Sequence, residues 1–146
     1  MPTRDLDPVD SLVQLSFLVH ARLARVAAAH ELSLVQLRMF GVLRDREPGM
    51  LELARHLELE KSSLSGLVDR AEARGLVERV PSAGDRRATT VRMTARGRQL
   101  ARFVTAEVES AIAELLAAVP ARDRAQLAAL AGRVVRGSGE MPEPIR

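Results

Sequence analysis

Apolar side chains recur every three or four residues at Leu12, Leu15, Val19, Leu23 and Val26, the repeat of one helix face. Asp7 ahead of Pro8 marks the start of this helix, an acceptor side chain before a residue with no N–H to leave unpaired, and the spacing carries it to about Ala29. Ser33-Leu34-Val35-Gln36 is a capping box that opens a second helix, which must end before Pro48-Gly49. Two short amphipathic pieces follow. Met50, Leu53, Ala54 and Leu57 share a face of the first, and Leu64, Leu67, Val68 and Ala71 a face of the second, across a tight link at Glu58-Leu59-Glu60. This is a helix-turn-helix pattern, closed by Gly75.

From Leu76 the period changes to that of strands. Val77 to Pro81 and Thr89 to Met93 read as a β-hairpin whose turn begins at Ser82-Ala83-Gly84-Asp85 and carries Arg86 and Arg87 near its tip. Thr94 caps a long helix with apolar positions Leu100, Phe103, Val104, Val108, Ala111, Ile112 and Leu115, predicted to reach about Ala118. At roughly 24 residues it spans about 36 Å, longer than a small core requires. A last helix follows Pro120 with Leu127, Leu130, Ala131 and Val134 as its expected buried stripe, and the Gly- and Pro-containing tail from Gly137 is expected to fray. The fold class is therefore mainly α with a small β-hairpin.

Composition narrows the chemistry. Hydrophobic residues make up 47% of the 146 and aromatics 2%, so the core is built of Leu, Val and Ala, a mixture that suits helices. The absence of cysteine excludes disulfides, thiol nucleophiles and Cys-ligated zinc. His20, His30 and His56 are too scattered to form a metal site, and no cofactor is expected. No Gly-x-Ser-x-Gly element or phosphate-binding glycine loop is present, so an enzyme is not expected. No uninterrupted apolar run reaches the roughly 18 residues needed to cross a bilayer, and the N-terminus does not read as an export signal, so a soluble cytoplasmic protein without a membrane partner is expected.

The net charge is only +3, but residues 61 to 98 hold nine basic and four acidic residues, a balance of +5, against −2 before them (seven and nine) and zero after them (six and six). A local basic segment is the footprint of a nucleic-acid contact. The 21 arginines against one lysine are spread over the whole chain and read as genome composition.

A helix pair followed by a ribbon with arginines at its tip is the order of a winged helix-turn-helix. The second helix can present side chains to base edges in a major groove, and the basic ribbon can reach the adjacent minor groove. Three stretches resemble the multiple antibiotic resistance regulator (MarR) family of bacterial transcription factors: Leu53-Ala54-Arg55-His56-Leu57, the run from Lys61 through Arg79, and Asp85-Arg86-Arg87-Ala88 followed by Val91-Arg92-Met93-Thr94-Ala95-Arg96-Gly97. The resemblance implies a homodimer whose terminal helices intertwine, a pseudo-palindromic double-stranded DNA operator, repression as the commoner outcome, and release by a small-molecule effector of unknown identity. It divides the chain into an N-terminal dimerisation helix (residues 1–32), a winged helix-turn-helix lobe (33–97) and C-terminal dimerisation helices (98–146). It also implies that Asp85 orients Arg87 into the minor groove while residues 61 to 74 read the major groove. Gly66 departs from the family, which carries a larger, often basic residue there; it weakens the helix by about 1 kcal/mol relative to Ala and removes a base contact.

The candidate DNA contacts are Lys61, Ser62, Ser63, Ser65, Arg70, Asp85, Arg86 and Arg87. The bland alternatives are that the serines merely cap their helix, and that Arg70 and Arg74 pair with Asp69 or Glu72 on a solvated face. Arg74 is read as structural, and Gly84 and Gly97 as answering backbone needs. By resemblance to relatives with a pocket between the first, second and fifth helices, Phe17, His20, Met39 and Phe40 are candidate pocket residues, with plain core packing as the alternative. A winged helix used for protein contact would keep the fold without needing Arg86 and Arg87; the salt dependence of DNA binding separates that reading from this one.

Overall fold

A computed structural model describes residues 7–139. Six helices and one hairpin follow in the order α1 (Pro8–Ala29), α2 (Leu34–Leu43), α3 (Met50–Leu57), α4 (Lys61–Ala73), β1 (Val77–Pro81), β2 (Thr89–Met93), α5 (Ala95–Leu115) and α6 (Ala121–Gly137). The expected start signals act as such. Asp7 accepts from the Val9 and Asp10 N–H groups, Ser33 and Gln36 close their reciprocal capping box, and Thr94 accepts from the Gly97 N–H. Each satisfies amides that the first helical turn leaves open.

The core lies in the central lobe. Leu53, Ala54 and Leu57 of α3 and Leu64, Leu67, Val68 and Ala71 of α4 are buried together with Met39, Phe40, Val42 and Leu43 of α2 and Val77, Val91 and Met93 of the hairpin. Ahead of α3, Pro48 and Gly49 dock on the hairpin's free edge: the Val91 N–H donates to the Pro48 carbonyl at 2.9 Å and Gly49 bridges Thr90. The Pro-Gly turn thus adds one isolated bridge to the edge of the two-stranded wing.

Gly75, in the left-handed region at φ +69°, lets α4 stop. Its N–H returns to the Glu72 carbonyl and that of Leu76 to the Ala71 carbonyl. Gly97 answers a different need. A Cβ there would sit 1.9 Å from the Leu76 carbonyl oxygen, so α5 leaves the wing with its first turn against the Leu76 backbone. The Thr94 hydroxyl donates to the Gly75 carbonyl at 2.6 Å and pins the same junction.

The ends differ from the sequence reading chiefly in how little they bury. No residue of α6 is buried within the chain: Leu127 is half-buried, and Leu130, Ala131 and Val134 are exposed. The predicted stripe exists but finds no surface to close on among the described residues. Helix α1 buries only Ala27 and exposes Val9, Leu12, Val13, Phe17 and Leu18. Its mean hydropathy of 1.3 over 18 residues meets a length-and-composition criterion for a membrane span, although Ser, Gln, His and Arg interrupt it throughout. Helix α5 ends at Leu115, three residues before the predicted end. Helix α6 continues through Gly137, and the expected fraying tail falls largely on residues 140–146, outside the described residues.

Candidate nucleic-acid interface

The turn between α3 and α4 is set by Glu58, which stands at φ +54° and ψ +42°. That conformation costs a non-glycine residue about 1 kcal/mol. It is held by hydrogen bonds from the Glu58 N–H to the Arg55 carbonyl and from the Leu59 N–H to the Ala54 carbonyl. The chain reverses in three residues and presents the start of α4 to solvent. Glu60 is the N-cap and its side chain makes no capping bond. Ser62 and Ser63 therefore lie inside the helix rather than capping it, and both are exposed, as is Lys61; Ser65 is half-buried. With Leu64, Leu67, Val68 and Ala71 turned into the core, these polar residues occupy the outward face.

Gly66 belongs to that outward face, and the space its missing side chain leaves is used by a neighbour. A Cβ on Gly66 would lie 3.3 Å from the Arg70 Nη1, so the Arg70 guanidinium folds back along α4 toward its N-terminus.

The wing is a five-residue antiparallel ladder from Val77↔Met93 to Pro81↔Thr89. Beyond it, the Ser82 N–H donates to the Ala88 carbonyl and the Ala88 N–H to the Asp85 carbonyl. The Asp85 carboxylate accepts from the backbone N–H of Arg87 at 2.9 Å, an Asx-type turn that shapes the tip. Asp85 thus acts on the backbone of Arg87 while Arg86 and Arg87 both lie exposed.

Two ion-pair sets brace this ribbon. Arg79 of β1 reaches Asp69 at 2.7 Å and Glu72 at 2.5 Å, both on α4. Burial draws its guanidinium's pKa down, but the hydrogen bonds and charges of Asp69 and Glu72 outweigh it and hold it above its ordinary value. Across the ladder, the Arg92 Nε donates to Glu78 at 2.7 Å, which raises the Arg92 pKa. Asp69 and Glu72 thus join α4 to the wing instead of pairing with Arg70 and Arg74 a turn away. Of the nine basic residues between 61 and 98, Arg74, Arg79, Arg92 and Arg98 bond to protein groups. Lys61, Arg70, Arg86, Arg87 and Arg96 face solvent.

A model of the MarR family matches residues 30–88, the segment that holds α2, the helix pair, β1 and the wing tip. The HTH-type transcriptional regulator PecS of Dickeya dadantii (strain 3937) is 28% identical over 140 residues, covering 91% of this chain and 84% of PecS. The central segment, residues 30–88, is MarR-like. The architecture agrees. The structure of RV1404 from Mycobacterium tuberculosis superposes with a TM-score of 0.79 at 26% identity over 90% of this chain and 92% of that one. Wild-type MarR from E. coli in its apo form does so with 0.76 at 22% over 90% and 99%. The chain is thus similar in sequence and in fold to MarR-family transcriptional regulators, a family of regulators rather than enzymes.

Behind the MarR-type lobe lies a cavity of 490 Å³ between α2, the end of β2 and α5. Leu37, Phe40, Met93, Ala101 and Val104 give it apolar walls; Arg44, Arg98, Arg102 and Glu109 give it charge. Arg44 binds Asp45 through Nε and Nη2, a pairing that holds the Asp45 carboxyl below its usual range. The Arg44 Nη1 is buried and has no hydrogen-bond partner among the described residues. Of the four pocket residues named from sequence, Phe40 lines this cavity. Met39 is fully buried in the core, and Phe17 and His20 lie exposed on α1. The arginines were missed, although Arg44 carries a readable signal: it stands seven residues after Leu37 and four after Phe40, a charge on the apolar stripe of α2. The other two histidines hold helices in place. His30 pairs with Glu107 at 2.8 Å, and His56 with Arg46 at 3.1 Å.

Proposed function

We propose that this regulator is a cytoplasmic homodimeric repressor that occupies a pseudo-palindromic operator and is released by a small-molecule effector. The observation that carries the DNA-reading part is the wing tip, where Arg86 and Arg87 stand exposed on a turn shaped by the Asp85–Arg87 hydrogen bond. Two adjacent guanidiniums there serve no core and match the concentrated negative potential of a narrow minor groove. Lys61, Ser62, Ser63, Ser65 and Arg70 then belong to the major groove and its phosphates. In this reading residues 33–97 form the reading lobe, and residues 1–32 and 98–146 the dimerisation parts. Support for the dimer comes from the large apolar side chains left in water on the terminal helices at Leu12, Phe17, Phe103, Leu130 and Val134, which a second copy can cover.

For the effector, the cavity's apolar walls and its three arginines to one glutamate suit an apolar carboxylic acid, with Arg44 Nη1 as the donor that lacks a partner among the described residues. Binding there bears on α2 and α5 together, and so on the separation of two reading heads that must stand about 34 Å apart.

The test is operator binding by Arg87→Ala against wild type in a salt series. Arg87→Ala is expected to bind about tenfold more weakly, within the 1–3 kcal/mol range of a groove contact, with an unchanged melting temperature. Equal affinity for the two proteins at physiological salt removes the wing from the mechanism. A panel of apolar carboxylates that neither raises the melting temperature nor releases DNA removes the effector from it.

A further inference from the structure

The C-terminal end of α4 is tied to the hinge between α1 and α2 by one side chain. Arg74, the C-cap residue of α4, donates from Nη1 to the Glu31 carbonyl at 2.8 Å and from Nη2 to the His30 carbonyl at 3.0 Å. Those carbonyls belong to the turn that ends α1, where Glu31 stands in the left-handed region at φ +55° and the Leu32 N–H reaches back to the Ala27 carbonyl. Carbonyls at and just past a helix's C-cap have no partner within the helix and lie at the negative end of its dipole, so a guanidinium fork there both satisfies them and offsets that charge. The same turn is held from its other side, where the His30 ring nitrogen lies 2.8 Å from the Glu107 carboxylate of α5. Helix α4 otherwise packs chiefly on α3 and β1.

We propose that Arg74 is a positioning residue, a strut that fixes the angle of the recognition helix against the α1–α5 scaffold and with it the spacing of the two reading heads. The proposal rests on the dimeric operator-binding reading above. It accounts for an arginine in the basic segment without a DNA contact. At 13 residues, α4 places its C-terminal end about 20 Å from Lys61, and both terminal nitrogens of Arg74 are already committed to the hinge. Lysine cannot replace it, because a single ammonium does not present two parallel donors to consecutive carbonyls.

The chain has no cysteine, so spin labels can be placed at will. Leu51→Cys on α3, 68% exposed, and Ala21→Cys on the exposed side of α1 report the lobe-to-scaffold distance within one chain when labelled protein is diluted with unlabelled. Wild type, Arg74→Ala and Arg74→Lys are compared by this distance and by affinity for a full operator, an isolated half-site and operators with one base pair added or removed between half-sites. Both variants are expected to broaden the distance distribution at least twofold. They should lose about tenfold affinity for the full operator, keep half-site affinity within twofold, and discriminate less between spacings.

Distance distributions that superimpose on wild type overturn the strut. So does an equal loss on full and half-sites with a salt slope lowered by about one, the signature of a phosphate contact. A wild type that binds full and half-sites equally sinks the dimeric reading instead, while the distance measurement still judges the strut.

Discussion

The central lobe and the terminal helices are made from the same residues and end in opposite conditions. Between α2 and β2 nearly every predicted apolar position is buried: Leu53, Leu64, Val68, Ala71 and Val91 are at or near zero exposure. In α6 none is, and α1 buries a single alanine. Periodicity therefore means something different in the two regions. In the lobe, the stripes of three helices and one face of the wing meet within one chain. At the ends, α5 and the C-terminal half of α1 still pack on the lobe's core, while α6 and the N-terminal half of α1 leave apolar side chains uncovered, which under the proposed function a second copy covers.

The junction between the regions is the most sensitive place to break this comparison. Gly97 lies where α5 leaves the lobe, and a methyl group there meets the Leu76 carbonyl, which is backbone and has no rotamer to escape into. Gly97→Ala is expected to destabilise the fold by about 3 kcal/mol, at the upper end of overpacking costs. Chemical denaturation measures it, and a change below about 1 kcal/mol contradicts the close approach.

A matched pair of substitutions separates a closed core from an open one. Leu64→Ala empties a site with no exposure and should cost about 3 kcal/mol at any protein concentration. Leu130→Asp changes a side chain that is 48% exposed in the single chain. It should leave the lobe's secondary structure in place and shift sedimentation from dimer toward monomer, with a loss of about 2 kcal/mol that grows on dilution. If Leu130→Asp sediments and melts like wild type at micromolar concentration, the α6 stripe is not an interface.

How much was legible follows the same division. Local signals were read well because they are satisfied locally: Asp7, the Ser33–Gln36 box, Thr94 and Gly75 each act within a few residues of themselves. The helix-turn-helix stripes and the hairpin were legible because their periods differ and their turn residues are specific. Long-range electrostatics was not. Asp69 and Glu72 have Arg70 and Arg74 as sequence neighbours, yet both carboxylates go to Arg79, which the wing brings back over α4, leaving Arg74 for the hinge. The need for glycine at position 97 was foreseen but not its cause, since only the packed chain brings Leu76 beneath it. For the ends, sequence spacing shows that a face is apolar and is silent on which chain covers it.

Gly66 gives the smallest expected effect and sharpens the comparison from inside the reading lobe. It is the position of α4 where the lobe gives up most helix stability, about 1 kcal/mol relative to Ala. A methyl group there would approach only the far end of the Arg70 side chain, at 3.3 Å, and a flexible guanidinium can move by the few tenths of an ångström required. Gly66→Ala should therefore stabilise the protein by somewhat less than that, about 0.5 kcal/mol. If Arg70 holds a phosphate from its folded-back position, the same change displaces it, and operator affinity should fall about threefold while stability rises. A gain in both stability and affinity would mean that the glycine's space is not what positions Arg70 for DNA. A loss of stability would mean that the region around Gly66 is more tightly packed than its half-buried surface implies.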